Sequence, residues 1–244
     1  MNYYQRQIAI KGIISNYKCL FQLIIAFAIC LSFSSCEEKV VQDHPQKNVK
    51  KVIKVEDKKK DSNKVILFYG NSLTAGYGLD ENQSFPSLIE DKIDSLGMKY
   101  SVVNAGLSGE TTSGGLKRID WVMKQKVDIF FLELGANDML RGLPLDETRK
   151  NLSEIITIVK AKNPNVKIGL CEMVAAPNMG ADYVEAFNKI YKDLATQFDT
   201  TLVPFFLDGV AGNEAYLLKD GKHPNAKGQE IVAENIWESL EGML

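Results

Sequence analysis

The 244-residue chain is poor in the groups that usually announce a specialised chemistry. It has two histidines, His44 and His223, and four cysteines, of which Cys19, Cys30 and Cys36 crowd near the start. Beyond Cys36 only Cys171 remains, inside the strand-like run Val166–Cys171, where a small buried core residue is expected. Neither residue type recurs at metal-ligand spacing, so no metal site, disulfide framework or cofactor is predicted. Charge of one sign is missing too: 29 Lys and Arg stand against 31 Asp and Glu. That balance supplies no electrostatic pull toward nucleic acid. Long apolar runs are also absent, since the longest, Cys19–Leu31, is short of the roughly 20 residues that span a bilayer.

That run is nevertheless informative. Arg6, Lys11 and Lys18 precede it without any acidic residue, and Ser32, Ser34 and Ser35 follow it. A positive start, an apolar middle and small residues at the end are the parts of a secretory signal. Cys36, directly after the small residues, resembles the processing site of a bacterial lipoprotein, where the cysteine is lipidated; an uncleaved signal anchor is the alternative. Either way the chain is expected to be exported and held to a membrane by its N-terminal segment, with residues 1–36 as the signal segment. Residues 37–63 are dense in lysine and acid, carry Pro45 and offer few large apolar side chains. They read as a charged flexible tether. Residues 64–244 read as one folded domain, long enough to bury roughly 70% of its unfolded surface without a staple.

Inside that domain apolar runs alternate with amphipathic segments. Val65–Tyr69, Tyr100–Asn104, Val127–Leu134, Val166–Cys171 and Thr201–Val203 are predicted strands. Between and after them, helices are predicted from Phe85 to about Ile93, from Thr111 to Gln125, from Asp146 to Lys162, from Asp182 to Phe198, and from an Asn225 cap to about Leu240. This alternation predicts an α/β fold whose sheet is parallel and covered on both faces. Right-handed crossovers place every strand's carboxyl end on one edge, where ligands bind in such sheets.

Chemistry-bearing residues fall at that edge. Ser72 follows the first strand and Gly70, so a hydroxyl is delivered to the sheet's reactive side; it also suits a helix N-cap. A serine needs a base, and the scarcity of histidine leaves only His223, because His44 lies in the tether. Asp220, three residues earlier, can accept a hydrogen bond from one ring nitrogen and leave the other to take the serine proton. Gly109 offers a backbone N–H clear of any side chain, and Asn137 follows the third strand and a glycine. With the Ser72 N–H they make a candidate oxyanion hole. Thr74 stands where the Gly-x-Ser-x-Gly elbow has its second glycine, which excludes the α/β-hydrolase turn.

Gly70-Asn71-Ser72-Leu73, Asn104 to Thr111, Leu134 to Gly142, and Asp220 to Pro224 resemble, in this order, the sequence blocks of the SGNH/GDSL hydrolase family. The second and third blocks are especially similar to its bacterial periplasmic arylesterase/thioesterase/lysophospholipase branch. The resemblance implies a flavodoxin-like SGNH hydrolase fold, a three-layer α/β/α sandwich around a mostly parallel five-stranded sheet. It also implies hydrolysis of carboxylic esters, thioesters or lysophospholipids through an acyl-Ser72 intermediate. Met139, Leu140, Arg141, Leu143 and Pro177 are candidate substrate contacts, with Met173, Met179, Phe205 and Phe206 as further apolar lining. Arg141 is placed to attract a carboxylate or phosphate. Two other readings stay open: a carbohydrate O-acetyl esterase with the same catalytic residues, and a non-catalytic ligand-binding lipoprotein. One position departs from the family, which usually has Asp where this chain has Asn71. The two side chains are nearly isosteric but a charge is lost, so altered activity or pH response is expected.

Overall fold

The computed structural model describes residues 63–244. The signal segment, the Cys36 processing site and all but the last residue of the tether lie outside the described residues. Five strands form one sheet: β1 (Lys64–Gly70), β2 (Tyr100–Gly106), β3 (Ile129–Glu133), β4 (Lys167–Cys171) and β5 (Thr201–Val203). All pairings are parallel and the order is β2-β1-β3-β4-β5. This is the flavodoxin-like order, in which the chain changes winding direction between β1 and β3 and opens a crevice at their carboxyl ends.

The helices are α1 (Ser72–Ala75), α2 (Phe85–Ser95), α3 (Thr112–Val122), α4 (Ala136–Leu140), α5 (Leu145–Lys162), α6 (Ala181–Phe198) and α7 (Ala226–Glu241). One layer pairs α2 with α7, joined by the Phe85 N–H donating to Gln229 Oε1 at 2.8 Å. The opposite layer packs α3 on α5 and α5 on α6. Consecutive residues of β1 reach both layers. Phe68 lies edge-on to Phe85 of α2 at 5.2 Å, while the Tyr69 hydroxyl donates to the Gly115 carbonyl of α3 at 2.6 Å. A strand sandwiched this way must be apolar on both sides, which is why Ile66 through Tyr69 reads as an unbroken apolar run.

The amphipathic stripe of α5 is fully buried at Leu152, Ile155, Ile156 and Val159, worth roughly 1.5–3 kcal/mol for each side chain. Asn225 caps α7 through its side-chain oxygen, which accepts from the Gly228 N–H at 3.0 Å. Cys171 is a buried free thiol of the core. Two short helices were not predicted. Both α1 and α4 are a single turn or little more, too short to display a helical apolar period. Among the described residues no helix is long and apolar enough to cross a membrane.

Register fixes what comes next. Gly70 is the cross-strand partner of Gly106 on one side and of Glu133 on the other, so β1, β2 and β3 end side by side.

Candidate active site

The chain leaves β1 through Gly70 and turns at once into α1. A Cβ at Gly70 would overlap Thr74 Oγ1 and Glu133 Oε2, so only glycine permits the turn to fold this tightly over β3. Asn71 is the helix cap: its Oδ1 accepts from the Leu73 N–H at 2.9 Å and lies 3.4 Å from Ser72 Oγ. Ser72 is therefore the first helical residue and not the cap.

From the far end of the chain comes His223. Its Nε2 stands 2.8 Å from Ser72 Oγ although 151 residues separate them, and its Nδ1 stands 2.6 Å from Asp220 Oδ2. Asp220 Oδ1 accepts the backbone N–H groups of Lys222 and His223 at 2.9 and 3.1 Å. These bonds, that from the His223 ring foremost, hold the Asp220 carboxyl down at about 2, so it stays ionised at every working pH. The Leu218 N–H donates to the His223 carbonyl and Leu217 bridges Pro224, pinning the loop. The ring of Tyr77 lies 4.5 Å from the imidazole.

Beyond β2, Gly109 takes φ 79°, in the left-handed region that a glycine occupies without strain. Arg118 of α3 braces this loop from behind. It pairs with Glu110 and donates to the Ala105 carbonyl at 2.8 Å, with its guanidinium over the Tyr69 ring. Asn137 sits in the first turn of α4, and its Nδ2 donates to the Glu110 carbonyl at 2.9 Å, which leaves one amide hydrogen to serve the cleft. The neighbouring Asp138 ties α4 to the start of α3, accepting from the Thr112 N–H at 2.9 Å and from its hydroxyl at 2.6 Å.

Ser72, Gly109, Asn137 and His223 all line one cleft of about 440 Å³, within the ~300–1,000 Å³ usual for ligand pockets. Its walls are mainly apolar and include Met139, Leu140, Met173 and Phe205, each singled out from sequence. Other expectations need correction. Arg141 does not line the cleft; its Nη2 donates to the Gly109 carbonyl at 2.7 Å, so it braces the loop from outside. Leu143 is not among the cleft-lining residues; its backbone N–H donates to the Asp138 carbonyl. Pro177 opens an exposed 3₁₀ turn, Pro177–Met179, and neither residue reaches the cleft. Phe206 is buried in the core, whereas its neighbour Phe205, at the start of a turn closed by the Asp208 N–H on its carbonyl, lines the cleft.

Several lining residues escaped sequence reasoning: Tyr77, Val174, Leu207 and Lys222. A signal existed only for Lys222, adjacent to the one histidine available. Glu133 also escaped. It is buried at the end of β3, and that burial lifts its carboxyl to about 8 despite hydrogen bonds from Asn71 and Thr74 that favour the charged form.

The chain is similar to known proteins over most of its length. The GDSL-like Lipase/Acylhydrolase family matches residues 68–231. The chain is 37% identical over 180 residues to Esterase TesA of Pseudomonas aeruginosa, covering 73% of this chain and 89% of that one. It is 38% identical over 180 residues to Thioesterase 1/protease 1/lysophospholipase L1 of Escherichia coli K12, covering 73% and 84%. Among solved structures, a psychrotrophic esterase EstA from Pseudoalteromonas, inhibited by monoethylphosphonate, superposes with a TM-score of 0.70 at 31% identity, covering 74% of this chain and 98% of that one.

Proposed function

The chain belongs to the GDSL-like lipase/acylhydrolase family and is an ester-bond hydrolase, and on that premise we propose that it works as a serine esterase through an acyl-Ser72 intermediate. The observation that carries this reading is the continuous contact from Asp220 through His223 to Ser72 Oγ at the mouth of an apolar cleft. His223 Nε2 takes the Ser72 proton as Oγ attacks the acyl carbon. Asp220 holds the Nδ1–H tautomer and stabilises the imidazolium that forms. The tetrahedral oxyanion accepts hydrogen bonds from the N–H groups of Ser72 and Gly109 and from Asn137 Nδ2. As the intermediate collapses, the imidazolium gives its proton to the departing alcohol or thiol. Water then repeats the sequence on the acyl-serine and frees the acid.

Arylesters, thioesters and lysophospholipids are all compatible with this chemistry, and the apolar cleft favours an acyl chain longer than acetyl. The test is labelling with a fluorophosphonate probe, followed by kcat/KM on acetyl, octanoyl and palmitoyl nitrophenyl esters. A protein that neither labels at Ser72 nor releases nitrophenol would end the esterase reading. A maximum at acetyl would favour the glycan deacetylase alternative.

Lys222 is the sole cleft-lining residue with a fixed positive charge. It replaces Arg141 as the candidate contact for a carboxylate or phosphate on the substrate. Because it is exposed, its expected worth is modest. Lys222→Met is expected to raise KM for anionic esters about threefold, leave neutral esters unchanged, and lose its effect at high salt. Equal changes on both ester classes would rule out a charge-reading role.

Residues 1–36 as an export signal, Cys36 as the lipidated N-terminus and residues 37–63 as a tether complete the proposal, with the folded domain at 64–244. Two or more acyl chains at Cys36 would anchor the domain stably to a membrane. Membrane fractionation checks this: Cys36→Ala is expected to move the protein into the soluble fraction, and unchanged retention would rule out lipid anchoring.

A further inference from the structure

A carboxyl group buried directly behind the nucleophile turn takes no part in the proton relay just described. Glu133 is 2% exposed at the end of β3. Its Oε2 accepts the Asn71 backbone N–H at 3.0 Å and faces the Thr74 hydroxyl at 2.8 Å, while its Oε1 faces Asn71 Nδ2 at 2.5 Å. One side chain thus holds the residue before Ser72 by two groups and the residue two beyond it by a third. The bond to Nδ2 also decides which way the Asn71 amide points. With Nδ2 turned to Glu133, Oδ1 is left to cap the Leu73 N–H beside Ser72 Oγ.

We propose that Glu133 is the positioning residue of the nucleophile turn, and that Asn71 and Glu133 act as one polar pair fixing the orientation in which Ser72 meets His223. This rests on the serine-esterase reading and extends it to a residue that touches no substrate. The contacts hold whether or not Glu133 carries its proton, because the Thr74 hydroxyl can turn to donate or to accept. Of the groups facing the carboxyl from other elements, only Arg118 of α3 is charged at working pH, and its charge is matched by Glu110. Burial keeps Cys171 of β4 and Tyr191 of α6 protonated well above the usual range.

The pair can be tested by exchanging its polarity. Glu133→Gln sets an amide N–H against an Asn71 N–H whichever way the new amide turns. It is expected to lower kcat about 10- to 100-fold, with KM within about twofold. Asn71→Asp in the same chain turns that repulsion into a donor and an acceptor. The Asn71→Asp/Glu133→Gln protein is therefore expected to recover most of the loss, as coupled neighbours do and independent sites do not.

Asn71→Asp alone should remain active, its two carboxyls sharing a proton. In the wild type an alkaline fall in kcat is expected near pH 8, where Glu133 ionises beneath the nucleophile turn and its charge opposes the oxyanion. That fall should move to higher pH in Asn71→Asp, because the like charge holds the last proton harder, and should vanish in Glu133→Gln.

An active wild type whose kcat and pH profile survive Glu133→Gln would overturn the inference alone. So would a double variant no faster than Glu133→Gln. A wild type that neither labels nor hydrolyses esters would overturn the esterase reading and this inference with it.

Discussion

Ser72→Ala is expected to lower kcat for nitrophenyl esters by a factor on the order of 10⁴ to 10⁶ and to abolish phosphonate labelling, while KM changes little. The size follows from the division of labour. Removing Oγ removes the covalent route, yet the oxyanion donors and the cleft survive, so hydrolysis by water alone falls to a residual level rather than to nothing. His223→Ala should cost nearly as much, because without an acceptor at 2.8 Å the hydroxyl keeps its proton. The two losses must not add. In the double variant kcat should lie close to that of either single one, since both side chains serve one proton transfer. Additive losses would mean that the serine and the histidine work separately, and single-turnover rates on the three proteins decide the matter.

The second large effect is expected at Asn137. Asn137→Ala should reduce kcat by about 10²- to 10³-fold, equivalent to roughly 3–4 kcal/mol of transition-state stabilisation, with little change in KM. Nδ2 also donates to the Glu110 carbonyl, so the variant loses a loop contact as well as an oxyanion donor. The two losses are separable. A loosened loop would lower the unfolding temperature and weaken ground-state binding, whereas a missing oxyanion donor is felt only once the carbonyl oxygen becomes charged. A rise in KM with kcat preserved would remove Asn137 from the oxyanion hole.

Much of this arrangement is legible in the sequence because strands buried on both faces announce themselves. Apolar runs interrupted by Gly70, Gly106 and Gly135 mark the strand ends, and the two-histidine count makes His223 the candidate base. The remainder was hidden for identifiable reasons. The short helix α4 spans too few residues to show a period, so Asn137 read as a loop residue, and Arg141 and Leu143 as loop contacts facing the cleft. In fact Arg141 donates to the Gly109 carbonyl, and Leu143 does not line the cleft. Tyr77, Val174 and Leu207 carry no local signature; only the folded chain brings them around Ser72. Glu133 did have a signal, a single carboxylate within Phe130-Phe131-Leu132-Glu133-Leu134. What it lacked was a visible partner, because Asn71 lies 62 residues away and meets it only through the β1–β3 register.

That register also divides the catalytic apparatus by stiffness. The proposed nucleophile and oxyanion donors follow β2, β1 and β3, three neighbouring strands whose spacing of about 4.8 Å is dictated by main-chain ladders. The imidazole and its acid arrive together on one irregular loop, held to each other more locally than to anything else. The protein thus resembles a vice with one jaw cast into the frame and the other bolted on separately. Substitutions in the Asp220–His223 loop are therefore expected to alter proton transfer, and substitutions at the strand ends the seating of the carbonyl.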